Sequence, residues 1–198
     1  MEQAIKIVSA LGLVFVEAGS LAMTDEEKRE VTYASEAAPK HITDAATFLM
    51  FRDGTFQTIK EGSNNFTCLV LRNPNERFEP ACLNKSAVES VLPTYEYHTA
   101  RLYAGASEQQ VMDEIGKKFE SGELPTAKTG SLVYMMSQNN RAYREDIKEL
   151  ISFPPHQMYF MSRLPDDVFS LENSTFTPGS PFVFQAYPHM TSLIIFTK

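Results

Sequence analysis

Short runs of apolar residues, several of them alternating with polar residues, recur along this chain and predict β-strands. The Asp53-Gly54 pair lies between the first two runs and favours a hairpin, because both residue types tolerate a positive φ angle. A second turn at residues 61–65 leads into the third run, so these three strands are expected to form an antiparallel meander. The predicted strands are residues 46–51, 55–59, 66–71, 131–137, 156–161, 181–186 and 192–197.

Between these strands, apolar residues recur at helical spacing. Thr24 with Glu27 and Ser107 with Gln110 form the capping-box pattern that marks the first turn of a helix. Pro93 interrupts a longer helical pattern and is expected to kink it or to split it in two. The predicted helices are residues 24–38, 83–105 and 107–122, with a short one at 144–151.

The order of these elements, strands followed by helices and then strands again, indicates an α+β fold. We expect a mainly antiparallel sheet of about six strands with helices packed against it. A length of 198 residues suits one well-buried core, and 43% hydrophobic with 22% charged residues is typical of a globular protein. The predicted organisation is a single α+β domain over residues 23–198, preceded by a separate N-terminal segment.

Residues 1–22 have the pattern of a secretory signal peptide. Lys6 precedes an apolar run at residues 7–16, and residues 20–22 place small side chains at the expected cleavage site. The alternatives are a buried N-terminal helix or strand of a cytosolic protein and an uncleaved membrane anchor, for which this run is short. No later run approaches the roughly 20 apolar residues that span a bilayer. The sequence therefore predicts a periplasmic or secreted protein with no transmembrane span in its mature part.

The chain is acidic, with 25 Asp and Glu residues against 18 Lys and Arg and a formal net charge of −7. Because neutralisation of phosphates supplies most of the affinity for nucleic acid, and the sequence has no basic cluster, nucleic acid is not an expected partner. The sequence also has no G-x-S-x-G nucleophile motif and no phosphate-binding or dinucleotide-binding glycine loop. These observations favour a protein that is not an enzyme of a familiar type.

The chain has two cysteines, Cys68 and Cys82, with a Pro-Asn turn at residues 74–75 between them. Their separation suits one disulfide in an oxidising compartment. Closing a loop of this size stabilises a protein by on the order of 3 kcal/mol in the chain-entropy model. The alternatives are a pair of buried thiols and a zinc site, although zinc requires two further ligands that no C-x-x-C or His pair supplies.

A series of short motifs runs through residues 37–198. They are A-T-x-x-x-x-x-D-G-T at 46–55, E-G-S-N-N-F-T-C at 61–68, P-A-C at 80–82, S-L-V-Y-M-M-S at 131–137, P-H-Q-M at 155–158, P-F-V at 181–183 and P-H-x-x-x-L-I-I from residue 188. In this order they resemble a family of uncharacterised exported bacterial proteins. The resemblance implies export and one compact domain, but it implies no catalytic residues because the family has no established activity. Asn65 departs from the pattern, which has glycine before Phe-Thr-Cys, and this puts the turn conformation in question.

Histidine and methionine provide a candidate metal site. His156 and Met158 are two residues apart on a predicted strand and therefore share a face, and His189 is adjacent to Met190 in a neighbouring segment. Imidazole with thioether is a ligand set that suits Cu(I), so copper handling in the cell envelope is one alternative, provided that the four residues converge. The other interpretation is that each histidine caps backbone groups after a proline and each methionine fills the core, in which case no cofactor is expected.

A hydrolase or isomerase of unfamiliar type, built on His98 or His156, is a further alternative. Glu96 is too close in sequence to face His98 on a helix, so an acid–base pair requires a carboxylate from elsewhere in the fold. This function therefore predicts a buried carboxylate beside one of the two imidazole rings. The competing interpretation is a solvated helix face with one half-buried histidine.

Aromatic residues are the last candidate feature, with 14 Phe and 8 Tyr in the chain. Those on the predicted sheet can line an apolar ligand pocket, although aromatic residues more often fill the core. The function that the sequence favours is binding of an unknown small molecule or of an envelope protein. The candidate pocket residues are Tyr134, Tyr159, Phe160, Phe182, Phe184 and Phe196.

Overall fold

A computed structural model describes residues 22–144, 147–164 and 181–197 of this chain. The predicted signal peptide at residues 1–22 lies outside the described residues, apart from Ala22 at its end. Among the residues described, no helix combines the length and the apolar character that a membrane span requires.

The described residues form an α+β fold around one sheet of ten strands. The predicted fold class is therefore confirmed, whereas the expected number of about six strands was too low. The strands are β1 Thr47–Arg52, β2 Thr55–Lys60, β3 Phe66–Arg72, β4 Phe78–Asn84, β5 Ser131–Met135, β6 Arg141–Arg144, β7 Glu149–Ser152, β8 His156–Ser162, β9 Phe182–Tyr187 and β10 Met190–Phe196.

The strands lie in the order β2-β1-β3-β4-β5-β8-β10-β9, and the β6–β7 hairpin is attached to β4. Neighbouring strands are antiparallel except β1 and β3, which are parallel. The expected β1–β2–β3 meander is therefore wrong. Residues 61–65 cross the start of β1 instead of reversing the chain beside β2, and the amides of Ser63 and Asn64 donate to the carbonyl of Ala45 on the way.

Three of the strands were not predicted. β4 contains Pro80, a residue that argues against a strand, yet Pro80 pairs with Val70 across β3 and β4. The expected short helix at residues 144–151 is wrong, because β6 and β7 form a hairpin there. Apolar residues in so short a segment fit both the helical and the strand period, so the spacing alone cannot distinguish the two.

The main helices agree with their sequence signals. Both predicted capping boxes are present, at Thr24 with Glu27 and at Ser107 with Gln110. The long helical pattern is divided into two helices immediately before Pro93. The helices are α1 Asp25–Ala34, α2 Lys40–Thr43, α3 Lys85–Ser90, α4 Leu92–Tyr103 and α5 Glu108–Ser121, with a 3₁₀ turn at Ser35–Ala37 after α1.

The sheet has helices on both faces. Helices α3, α4 and α5 cover one face and supply the main core, in which buried residues of the helices pack against buried residues of the strands. Helices α1 and α2 pack on the opposite face over β1, β3 and β4 and form a second, smaller core. Representative residues of the main core are Leu69, Leu83, Val133, Phe160, Val91, Val111 and Ile115.

The disulfide between Cys68 and Cys82 is present, which confirms the sequence prediction. The two residues face each other directly across β3 and β4, with their Cα atoms 4.0 Å apart. Both are fully buried in the smaller core, where Cys82 lies against the end of α1. The bond therefore joins two neighbouring strands beneath α1.

Candidate functional site

A cavity of about 420 Å³ opens at one end of the sheet. At this end Met135 of β5 pairs with His156 of β8, and His156 pairs in turn with Phe196 of β10. The β6–β7 hairpin and the helices α4 and α5 complete the wall. Most of the lining is apolar, and it includes Met135, Phe153, Met158, Phe182, Ile194 and Phe196.

Aromatic rings form a continuous wall on one side of this cavity. The rings of Phe182 and Phe196 are stacked nearly parallel, with centroids 5.6 Å apart. The ring of His156 lies between Phe196 at 5.8 Å and Phe153 at 5.7 Å. Phe184 follows Phe182 on the same strand and is 47% exposed, so the aromatic wall extends to solvent.

Tyr187 reaches the cavity because β9 is irregular. In a regular strand Tyr187 would face away from Phe182, since side chains alternate between the two faces. Phe184 pairs with Ser192, and Tyr187 pairs with Met190. From one pair to the next, β9 advances by three residues and β10 by two, so β9 contains one extra residue. Such a bulge turns the strand and redirects a side chain. It places Tyr187 on the same side as Phe182, in the cavity wall.

An arginine and a glutamate lie together on the wall at the start of β4. Arg77 donates to Oε2 of Glu79 from Nε, at 2.8 Å, and also from Nη2. Glu79 is buried and Arg77 is half-buried. Burial opposes the charge of Arg77, but the carboxylate of Glu79 outweighs it and raises the pKa of the guanidinium. Arg77 and Glu79 therefore form a salt bridge.

His98 of α4 joins two further polar groups of the wall. Its Nδ1 lies 2.8 Å from the hydroxyl of Tyr187, and its Nε2 lies 2.7 Å from Oε2 of Glu108. Because a carboxylate only accepts, Nε2 carries a hydrogen, and in the neutral ring the hydroxyl of Tyr187 donates to Nδ1. The hydrogen bond from His98 lowers the pKa of Glu108, and burial raises the pKa of Tyr187. Both ring nitrogens of His98 are thus occupied.

His156 differs from His98 because only one of its nitrogens has a hydrogen-bond partner among the described residues. Nδ1 lies 2.9 Å from the carbonyl oxygen of Pro154, which can only accept, so Nδ1 carries the hydrogen and Nε2 a lone pair. Burial lowers the pKa of His156 and favours this neutral form. Nε2 forms no hydrogen bond with any residue that the structure describes, although the side chain is buried and lines the cavity.

The four proposed copper ligands do not meet. His156 and Met158 both line the cavity, but His189 and Met190 lie at the other end of the β8–β10 pair. Met190 lies opposite Ser162, which is six residues along β8 from His156 and four from Met158, roughly 20 Å and 13 Å at about 3.3 Å per residue. Met190 is buried in the main core, and His189 is exposed in the β9–β10 turn. In the described ranges, no group of three or more His, Cys, Asp or Glu side chains is arranged to hold a metal ion.

The predicted pocket residues divide between the two faces of the sheet. Phe182, Phe184 and Phe196 line the cavity. Phe160 is buried in the main core, on the same face. Tyr134 and Tyr159 alternate with residues of that face on β5 and β8 and therefore point to the opposite side, where Tyr134 packs near Phe66.

Glu96 has a structural role away from the cavity. Its Oε2 accepts hydrogen bonds from the hydroxyl of Thr55 at 2.7 Å and from the amide of Phe56 at 2.8 Å, which fastens α4 to β2. The carboxylate beside His98 is that of Glu108 instead. A carboxylate therefore lies beside His98, but the prediction was of a buried one, and the side chain of Glu108 is 38% exposed.

A second, larger cleft of about 840 Å³ lies between α1, the β1–β2 hairpin and α4. Two ion pairs at this cleft hold α1 on the sheet. Arg52 donates to Glu27 at 2.9 Å, and Arg72 donates to Glu30 at 2.7 Å. The aromatic residues of this cleft are Tyr33, Phe51 and Tyr103, and both tyrosines are exposed. The smaller cavity has more aromatic residues and is the better candidate site among the described residues.

Sequence reasoning missed the charged part of the cavity. The spacing of Arg77 and Glu79 places both on one face of a strand, but this signal is readable only once residues 78–84 are recognised as a strand. Glu108 and Tyr187 approach His98 from other elements, and no local pattern indicates this. No protein-family model, curated protein or solved structure matches this chain.

Proposed function

We propose that this protein binds a small, mainly apolar molecule in the cavity between the end of the sheet and the β6–β7 hairpin. The observation that carries this proposal is the cavity's composition: about 420 Å³ of space, a wall of aromatic side chains, and a few buried polar groups. Binding sites for small molecules have this volume and this combination of apolar walls with a few fixed polar groups.

The uncharged fluorophore N-phenyl-1-naphthylamine, which becomes bright in apolar surroundings, tests this proposal. The chain has no tryptophan, so the emission of the probe is read without an indole background. We expect saturable binding by the wild-type protein. Replacing Ala186, which lines the cavity, with phenylalanine fills part of the space and should weaken binding at least tenfold.

The control for this variant is Ala104→Phe, which introduces the same side chain at an exposed position in the second cleft, outside the cavity. Its affinity for the probe should equal that of the wild type. Equal affinities in all three proteins would place the probe elsewhere on the surface and contradict the proposal. The absence of saturable binding by the wild type would contradict it as well.

The proposed compartment is outside the cytoplasm, as for the family of exported bacterial proteins that the sequence resembles. The disulfide supports this, because such bonds persist mainly in oxidising compartments. Expression of the whole chain in a bacterial host, followed by intact-mass measurement with and without reductant, tests it. Export predicts loss of residues 1–22 and a mass two hydrogens below that of the reduced form. A full-length, reduced chain would contradict export.

A second candidate, acid–base catalysis by a hydrolase or isomerase, is supported by the chain of Glu108, His98 and Tyr187. Because both nitrogens of His98 are occupied, a substrate in the cavity would meet the Tyr187 hydroxyl, and His98 would exchange the proton with it. Hydrolysis of 4-nitrophenyl butyrate tests the hydrolase form of this candidate. Release of 4-nitrophenolate that His98→Gln and Tyr187→Phe both reduce to background would support it, and no release above background would count against it.

A further inference from the structure

The charges on the cavity wall restrict the kind of molecule that the cavity can hold. Its charged side chains are two arginines and two glutamates, so their formal charges cancel. Arg77 is held by Glu79, and Glu108 accepts from His98. The fourth, Arg144, is exposed at the rim. The more buried charges, those of Arg77 and Glu79, are therefore paired with each other, and the charges of Glu108 and Arg144 lie at more exposed positions.

An anionic ligand would lose its hydration in this cavity without gaining a free counter-charge, and the carboxylate that a cationic ligand could approach, that of Glu108, has a 38% exposed side chain. Removing an ionised group from water costs several kcal/mol unless it is paired and hydrogen-bonded. An anionic ligand would have to compete with Glu79 for Arg77, and a cationic ligand would have to displace Arg77 from Glu79. A neutral ligand pays neither cost and keeps the contacts with the aromatic wall.

One polar atom on the wall, Nε2 of His156, is open to a ligand. Nε2 of His156 carries a lone pair, because Nδ1 donates to the carbonyl of Pro154, and within the described ranges nothing donates to Nε2. His156 as a whole residue is only 4% exposed, and its ring is flanked by the rings of Phe153 and Phe196. Among the described residues, the fully buried side-chain atoms without a hydrogen-bond partner are Thr94 Oγ1, Asn140 Oδ1 and Thr197 Oγ1. Nε2 of His156 is not one of them, because it faces the cavity and can be reached from there. A ligand that donates a hydrogen bond at this point would satisfy it.

We infer that the cavity takes a neutral alcohol or phenol, whose apolar body lies against Phe182 and Phe196 and whose hydroxyl donates a hydrogen bond to Nε2 of His156. This inference rests on the binding function proposed above and adds the chemical class of the ligand. It assigns His156 to ligand recognition, in place of metal binding or catalysis.

Three probes of nearly equal size separate the parts of this inference. 2-Naphthol is neutral and donates a hydrogen bond, 2-methoxynaphthalene is neutral without a donor, and 2-naphthoate is an anion. Titration of the wild-type protein at pH 7.5 with each probe should give the tightest binding for 2-naphthol. One hydrogen bond predicts an advantage of about five- to tenfold over 2-methoxynaphthalene, and the anion should bind more weakly than either.

Two variants test the assignment of residues. His156→Phe keeps an aromatic ring between Phe153 and Phe196 but removes the acceptor, so 2-naphthol and 2-methoxynaphthalene should bind equally. Glu79→Gln leaves the charge of Arg77 without its carboxylate, so the affinity for 2-naphthoate should rise at least tenfold. The second variant keeps the charge argument testable even if the first fails to fold.

The outcomes distinguish failure of this inference from failure of the binding function. If wild-type protein binds 2-naphthoate as tightly as 2-naphthol, or binds the two neutral probes equally, the alcohol class is wrong while cavity binding stands. If neither the naphthalenes nor N-phenyl-1-naphthylamine bind, the binding function itself is wrong. An unchanged preference for 2-naphthol in His156→Phe would overturn the assignment of His156.

Discussion

The hydroxyl of Tyr187 lies 2.8 Å from Nδ1 of His98, although the two residues are 89 positions apart in the chain. Tyr187 ends β9, and His98 lies in the middle of α4. Because His98 also contacts Glu108 in the first turn of α5, this pair connects the outermost strand of the sheet to both long helices. The hydrogen bonds of His98 with Tyr187 and Glu108 therefore both shape the cavity wall and hold β9, an edge strand of the sheet, against the helices.

Removal of the tyrosine hydroxyl is expected to destabilise the fold. Tyr187→Phe keeps the ring but leaves Nδ1 of the buried His98 without a partner, which should lower the free energy of unfolding by about 1–3 kcal/mol. Urea denaturation measures the change. Tyr103→Phe, at a tyrosine that is 49% exposed, serves as the control and should leave the midpoint unchanged. Equal midpoints for the two variants would show that the hydrogen bond contributes nothing.

Gly62 and Gly116 should respond to alanine in opposite directions. A Cβ at Gly62 would lie 2.2 Å from the carbonyl carbon of Ala46, a backbone atom that cannot move aside, so Gly62→Ala should cost about 3 kcal/mol or more. At Gly116, within α5, the nearest atom would be a side-chain carbon of Pro188 at 3.7 Å, an ordinary contact.

Gly116→Ala should therefore raise the free energy of unfolding by about 1 kcal/mol, the difference in helix propensity between the two residues. Thermal unfolding of both variants beside the wild type provides the measurement. A stable Gly62→Ala protein would mean that residues 61–65 do not approach β1 as closely as described.

The disulfide should contribute substantially to stability. The double variant Cys68→Ala/Cys82→Ala removes the bond between β3 and β4 and should lower the free energy of unfolding by about 3 kcal/mol, mainly because the unfolded chain is no longer constrained. Denaturation in guanidinium chloride measures this loss, and reduced wild-type protein should show a similar one. If the variant were as stable as the oxidised protein, the bond would have no stabilising role.

Features that depend on neighbouring residues were predictable from the sequence. The capping residues of α1 and α5 hydrogen-bond within one helical turn, and Pro93 acts on the backbone immediately before it. The Asp53-Gly54 turn needs only the two residues that adopt a positive φ angle. The disulfide was predictable because the chain contains no other cysteine that could compete for pairing.

Features that depend on distant partners were not predictable in the same way. The parallel pairing of β1 with β3 follows from contacts of residues 61–65 with the start of β1, which a turn signal does not specify. Tyr187 faces the cavity only because of the bulge in β9. Tyr134 and Tyr159 were assigned to the pocket by residue type, but strand alternation places them on the other face. Sequence patterns thus identified aromatic strands, and the three-dimensional arrangement selected which rings line the site.

Stability in acid should depend on Glu108. The hydrogen bond from His98 lowers the pKa of Glu108 below its usual value of 4.5. Near pH 4.5, Glu108 therefore stays ionised in the folded protein but begins to take up a proton in the unfolded chain. The resulting stabilisation is complete above pH 4.5 and is lost as the pH falls through the lowered pKa.

Glu108→Gln removes this contribution, and stability should then fall less steeply with acid below pH 4.5. Urea midpoints from pH 6 to pH 3 measure the slope, with Glu61→Gln, at an exposed site, as the control. If both variants change the slope equally, the effect belongs to net charge and not to the hydrogen bond with His98.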